Sequence, residues 1–141
     1  MLRIIGKEKL SEEQNIAAEQ ILAIVDEWRN RLSLDKWDTE LTFLPKLKDG
    51  KSDDDGCCTW ADTYVHWAYQ IIKITFYAHS IDKEKSPFSI MEEGVLHELG
   101  HAVVNPMEHD DPSAREGERT EFVVTNLAKI LLRMKYESVA T

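Results

Sequence analysis

Cysteine is scarce in this chain: there are two in 141 residues, Cys57 and Cys58, and they are neighbours. A disulfide between adjacent residues is strained and rare, so the pair reads as two thiols suited to a reducing compartment. No further ligands stand close by in sequence for a thiolate metal site. Long apolar runs are missing as well, none approaching the roughly 18 residues of a membrane-spanning helix. Met1–Leu10 lacks the apolar core of a secretory signal, so the expectation is a cytoplasmic protein with no membrane partner. Positive charge is in deficit, with 17 Lys and Arg against 26 Asp and Glu and a formal net charge of −9. Nucleic acid is therefore not an expected partner, because phosphate binding needs a basic footprint. Repeats, low-complexity stretches and linkers are absent too, which leaves one domain over residues 1–141.

Against this background one stretch carries chemistry: Val95-Leu96-His97-Glu98-Leu99-Gly100-His101-Ala102-Val103, an H-E-x-x-H. On a helix, histidines four residues apart lie on one face a turn apart, so both imidazoles can reach one ion. Two imidazoles suit Zn²⁺, and Glu98 is close enough to that face to hold the attacking water. Ser89 and Glu92 form an S-x-x-E capping box that predicts a helix from about 90 to 104, stopped by Asn105-Pro106. Ile90, Leu96, Val103 and Val104 are apolar on its other sides, which predicts a largely buried helix. Gly94 and Gly100 each cost a helix about 1 kcal/mol relative to Ala, a poor choice if stability were the only demand. The plainer alternative is that His97 and His101 are hydrogen-bonded core histidines.

Around that helix the chain reads as α+β. Ser11-Glu12-Glu13-Gln14 is a capping box opening a scaffold helix to about Arg31, with Ile16, Ala17, Ile21, Ile24, Val25 and Trp28 as its apolar stripe. Trp37 to Leu44 alternates as a half-buried strand, with Trp37, Leu41 and Phe43 on one side, ended by Pro45. Residues 46–56 read as a loop; Asp53-Asp54-Asp55-Gly56 lacks the alternating carboxylates and later Glu of a calcium loop. Cys57–Ala61 is a short strand, and Tyr69–Tyr77 a clear one with Gln70, Ile72, Ile74 and Phe76 on one side. The expected sheet is thus small, three-stranded and twisted, with a free edge near Cys57–Asp62. The aromatics Trp60, Tyr64, Trp67 and Tyr69 either line a cleft or fill the core. After an acidic loop, Ser113 and Glu116 form a third box that starts a long helix over about 114–136. Its apolar stripe is Phe122, Val123, Leu127, Ile130, Leu131 and Met134, while Glu118, Glu121, Thr125 and Ala128 share another face.

A catalytic zinc takes three protein ligands and keeps a fourth position open. Glu121 lies 20 residues beyond His101, a short way into the last helix, and Glu118 and His109 are the alternatives. His109 does not fit metzincin spacing, where Met107 stands at the third histidine's place and Val104 at the glycine's. The H-E-x-x-H followed by Glu121-Phe122-Val123-Val124-Thr125-Asn126-Leu127-Ala128 resembles the gluzincin type of zinc peptidase. Residues 10 to 136 are similar to its compact forms, the minigluzincins and the small metallopeptidases encoded by phages. That resemblance implies a zincin-like single domain, a bound Zn²⁺, and hydrolysis of a peptide or protein substrate. It makes His97, His101 and Glu121 the metal ligands and Glu98 the general base. Two departures stand out: Thr125 occupies the place of an Asp that supports a liganding histidine, and the chain is too short for the lower subdomain that usually supplies a transition-state His or Tyr. His66, Tyr64, His109, Arg119 and Tyr136 are the unranked candidates for that role.

Overall fold

The computed structural model describes residues 1–47, 59–104 and 114–137, the side chains of 114–119 excepted. Helix α1 (Glu12–Arg31) opens as its sequence predicts: the Ser11 hydroxyl accepts from the Gln14 amide at 3.2 Å, and the Gln14 side chain accepts from the Ser11 amide at 3.0 Å. The reciprocal box satisfies two backbone donors at the helix start. Ala17, Ile21, Ile24, Val25 and Trp28 are buried along one side, but Ile16, one step round the helix, is exposed. At the other end the buried Arg29 donates to the Asp35 and Trp37 carbonyls at 3.2 and 2.9 Å and so pins the turn into the sheet.

Four strands form one mixed sheet among the described residues, not the expected three. Its order is β1 (Leu2–Ile5), β2 (Asp38–Phe43), β4 (Ile71–Phe76), β3 (Ala61–His66). The first three are mutually parallel, and β3 runs antiparallel to β4 at the edge. β1 escaped the sequence reading because four residues are too few to display a period. The strand expected at Cys57–Ala61 instead starts at Ala61, and Cys57 and Cys58 lie outside the described residues. Thr39, Leu41 and Phe43 pack beside Ile72, Ile74 and Phe76 on the inner face, with the Phe43 and Phe76 rings stacked at 5.2 Å. Alternation along β3 puts Ala61, Thr63 and Val65 on that same face and Asp62, Tyr64 and His66 on the opposite one.

Helix α2 (Phe88–Val104) and helix α3 (Ala114–Glu137) complete an α+β domain with three α-helices among the described residues. The Ser89–Glu92 box does not form. The helix begins two residues earlier than expected, and the Pro87 carbonyl accepts its first bonds from Ile90 and Met91 at 2.9 and 3.0 Å. Glu92 is buried instead, its carboxylate claimed by donors from α1 and α3. α2 is indeed largely buried, but through Met91, Val95, Leu96 and Leu99; Ile90 and Val103 face solvent. The stripe expected on α3 is also corrected: Phe122 is 70% exposed, and Val123, Ile130 and Met134 are exposed with it, whereas Val124 and Ala128 are buried. The polar line through Glu121, Thr125 and Ala128 is therefore the one turned towards α2. The Ser113–Glu116 box lies outside the described side chains. No described helix is long and apolar enough to cross a membrane.

Candidate metal centre

Three sides of α2 meet three different neighbours. Met91, Val95 and Leu99 enter the core shared with α1 and the sheet. Gly94, Glu98 and Ala102, spaced by four, meet β3 and its flanks: Trp60 lies against Gly94, Thr63 bonds Glu98, and the Trp67 indole donates to the Ala102 carbonyl at 3.1 Å. Contacts advance along both elements together, so α2 runs in the direction of β3. His97, Gly100 and His101 turn to α3.

Both internal glycines are explained by close approach. A Cβ on Gly94 would sit 2.8 Å from the Trp60 ring, which is itself held by a 2.9 Å bond from its indole nitrogen to the Ser86 hydroxyl. A Cβ on Gly100 would come within 3.1 Å of the Val124 Cγ1. The second approach lets α3 lie near enough for its carboxylate to reach the histidines.

Glu121 bridges the two imidazoles. One carboxylate oxygen is 2.9 Å from the His97 Nε2 and the other 3.2 Å from the His101 Nε2. The rings stand 5.2 Å apart at 76°, and one ligand atom from each of the three residues lies within 4.8 Å of the others. Donor atoms of a tetrahedral ion held at ~2.0–2.1 Å are about 3.3 Å apart, close to the two carboxylate–imidazole spacings, so the group could hold a small divalent ion. Two imidazole nitrogens and one carboxylate are a donor set that Zn²⁺ accepts. The Thr125 hydroxyl lies 3.4 Å from the His97 Nδ1, behind the nitrogen that faces Glu121. Glu121 remains 58% exposed at its side chain, so the site opens to solvent. Of the alternatives, His109 and the Glu118 side chain lie outside the described residues.

Glu98 is buried beside this group. Burial pushes its carboxyl up to about 8; the Thr63 hydrogen bond opposes the shift, and the Glu121 and Asp62 charges add to it. A cation at the three-residue site would act in the opposite sense and favour the carboxylate.

None of the candidates for a transition-state donor is brought to the site among the described side chains. Tyr64 and His66 lie on the sheet face away from α2. The Tyr136 hydroxyl donates to Glu92, and 15 residues of helix separate it from Glu121 by roughly 22 Å. His109 and the Arg119 side chain lie outside the described residues. The aromatic cluster divides: Trp60 meets Phe76 edge-on at 5.5 Å and Trp67 anchors the end of α2, while Tyr64 and Tyr69 are exposed. Thr63 is the neighbour that sequence reasoning missed; the run Thr63-Tyr64-Val65 has strand-forming character, but the strand was assigned too early in the chain.

On the far face of the sheet, Met1, Arg3, Asp38, Glu40, Ile71 and Lys73 line a shallow recess of about 240 Å³. Its charges pair across strands, the N-terminal ammonium with Asp38 at 3.2 Å and Arg3 with Glu40 at 3.9 Å, which reads as a solvated sheet face. The metal-type cluster on α2 and α3 is thus the stronger candidate. Compared with protein-family models, curated proteins and solved structures, the chain matches none of them.

Proposed function

We propose that this chain is a compact, zincin-like metallopeptidase of the gluzincin type, hydrolysing peptide bonds with Zn²⁺ held by His97, His101 and Glu121. The observation that carries the reading is the convergence of both H-E-x-x-H imidazoles on one carboxylate from a separate helix. A zinc ion in that position would supply Lewis acidity, lowering the pKa of water and polarising the scissile carbonyl. Glu98 acts as general base: one oxygen of its carboxylate takes a proton from the attacking water and later delivers it to the leaving amine. Its burial keeps competing solvent from that oxygen. A peptide substrate would lie along β3, residues 61–66, the strand at the edge of the described sheet nearest Glu98.

The deciding experiment is Glu98→Gln, assayed for metal content and for cleavage of casein or a fluorogenic peptide. Zinc should remain at one per chain while turnover falls by about 10²–10⁴-fold. A second reading, a metal-binding structural or regulatory module without turnover, is favoured by one observation: Tyr64, His66 and Tyr136, the described candidates for stabilising an oxyanion, lie away from the site. Under that reading wild type binds zinc equally well and cleaves nothing.

A further inference from the structure

We infer that Thr63 is a positioning residue for Glu98, aiming the carboxylate from the sheet edge. The inference rests on the hydrolase reading and adds to it the device that orients the base. The Thr63 hydroxyl donates to the Glu98 Oε2, across 35 residues of sequence. Glu98 is 8% exposed, and this is the hydrogen bond to its carboxylate among the described contacts. A glutamate side chain has a broad terminal torsion, so a carboxylate on an otherwise apolar helix side has no intrinsic preference for which oxygen it offers. Occupying Oε2 leaves Oε1 as the basic atom, and it fixes the plane in which the remaining lone pairs lie.

Thr63 is well placed to do this. It sits on the inner face of β3, with Ala61 and Val65 on either side of it in the pleat and Ile74 opposite it on β4. Its neighbours in α2 are locked at both ends, Gly94 against Trp60 and Ala102 against the Trp67 indole. Helix and strand therefore cannot slide past each other without breaking those contacts, and the hydroxyl stays in register with the carboxylate. A β-branched residue adds a restricted χ1, which holds the donor in one direction. Val would keep the shape and the strand preference and remove only the donor.

The competing view is that Thr63 merely satisfies a buried carboxylate, in which case its loss lowers stability and leaves the aim of Glu98 unchanged. The test uses the full chain, zinc-loaded and labelled with ¹³C at the glutamate carboxyl, with the Glu98 resonance assigned by its loss in Glu98→Gln. Wild type and Thr63→Ser should each give one sharp Glu98 line. Thr63→Val, with unchanged zinc content and circular dichroism, should give a displaced line that is broadened or split by exchange between carboxylate orientations. On a fluorogenic peptide, kcat of Thr63→Val should fall tenfold or more with KM within about twofold, as expected for a lost hydrogen bond to a charged group. Thr63→Ser should recover most of it. A Thr63→Val line that coincides with wild type in position and width overturns the inference, as does a Thr63→Ser variant that behaves like Thr63→Val. If the line responds as described while wild type cleaves no peptide, the positioning role stands and the hydrolase reading is what fails.

Discussion

Helices α2 and α3 meet around two carboxylates, and the two meeting places are opposites. Near the start of α2, Glu92 is 1% exposed and accepts from the Trp28 indole at 3.0 Å, from the Lys135 ammonium at 2.5 Å and from the Tyr136 hydroxyl. Lys135 also donates to Glu27 at 2.9 Å, so all three helices are tied there. Burial pushes the Glu92 carboxyl up, but the bonds from Lys135, Tyr136 and Trp28 more than reverse this and hold it below the usual carboxylate range. Near the end of α2, Glu121 faces two imidazoles and open solvent. A carboxylate saturated with fixed donors fastens helices; one that faces two imidazole nitrogens at an open site could take an ion. Placing both between the same pair of helices separates the task of holding α3 from the task of using it.

Chelating the proposed metal is the strongest way to probe the open end. A ligand present at about a thousand times its dissociation constant adds about 4 kcal/mol to stability. Chelation should accordingly lower Tm by about 10 °C in a thermal melt, and Glu121→Ala should abolish the difference between zinc-loaded and chelated protein. The closed end should respond differently. Glu92→Ala should cost about 3 kcal/mol in urea unfolding, the lower part of the range for breaking a buried pair, because Lys135 keeps Glu27. Zinc stoichiometry should not change in that variant.

The same network sets a pH dependence. Glu92 is lowered, so its contribution is present above the unfolded carboxyl value of about 4.3 and disappears as pH falls through the folded one. Burial pulls Lys135 down, yet its bonds to Glu92 and Glu27 override this and raise it. Its contribution is therefore present below about pH 10 and is lost as pH rises through the folded value. Glu92 meets Trp28 from α1 and Lys135 and Tyr136 from α3, Glu27 shares the Lys135 ammonium, and Arg31 lies over the Trp28 ring at 5.3 Å. Urea midpoints should fall from pH 5 to pH 3 more steeply in wild type than in Glu92→Gln; equal slopes would remove the network from the account.

Smaller effects sharpen the open end. Thr125→Val removes the group behind the His97 Nδ1 and should weaken zinc binding about tenfold, measured by competition with a chromophoric chelator. Gly100→Ala should nearly cancel in stability, since better helix propensity offsets the crowding of Val124. It should still weaken zinc binding a few-fold by displacing α3, and a variant that binds zinc as wild type does would show that the close approach is dispensable.

How much of this was legible beforehand depended on the range of the signal. The H-E-x-x-H geometry is local, one turn of one helix, and the Ser11 box is equally local; both are present as read. Glu121 was reachable from spacing because a short way into the next helix is a limited choice. Glu92 misled because the residue three after a serine has a ready local role, while its partners come from positions 28, 135 and 136. The stripe on α3 misled for a related reason. Hydrophobic count favoured Phe122, Val123, Ile130 and Met134, yet the side that packs is chosen by the small residues Gly100 and Ala128, which allow a closer approach. Thr63 needed the register of β3, and a six-residue strand declares its register only through its neighbours.

The place of β3 at the edge of the described sheet has a further consequence for the molecule's behaviour at high concentration. A strand at a sheet edge that took an extended peptide would also take the same strand from another copy, so receptiveness to a guest would carry a hazard of self-association. Its brevity and the carboxylate of Asp62 limit that hazard, and the rest of the sheet is protected by being interior or, at β1, only four residues long.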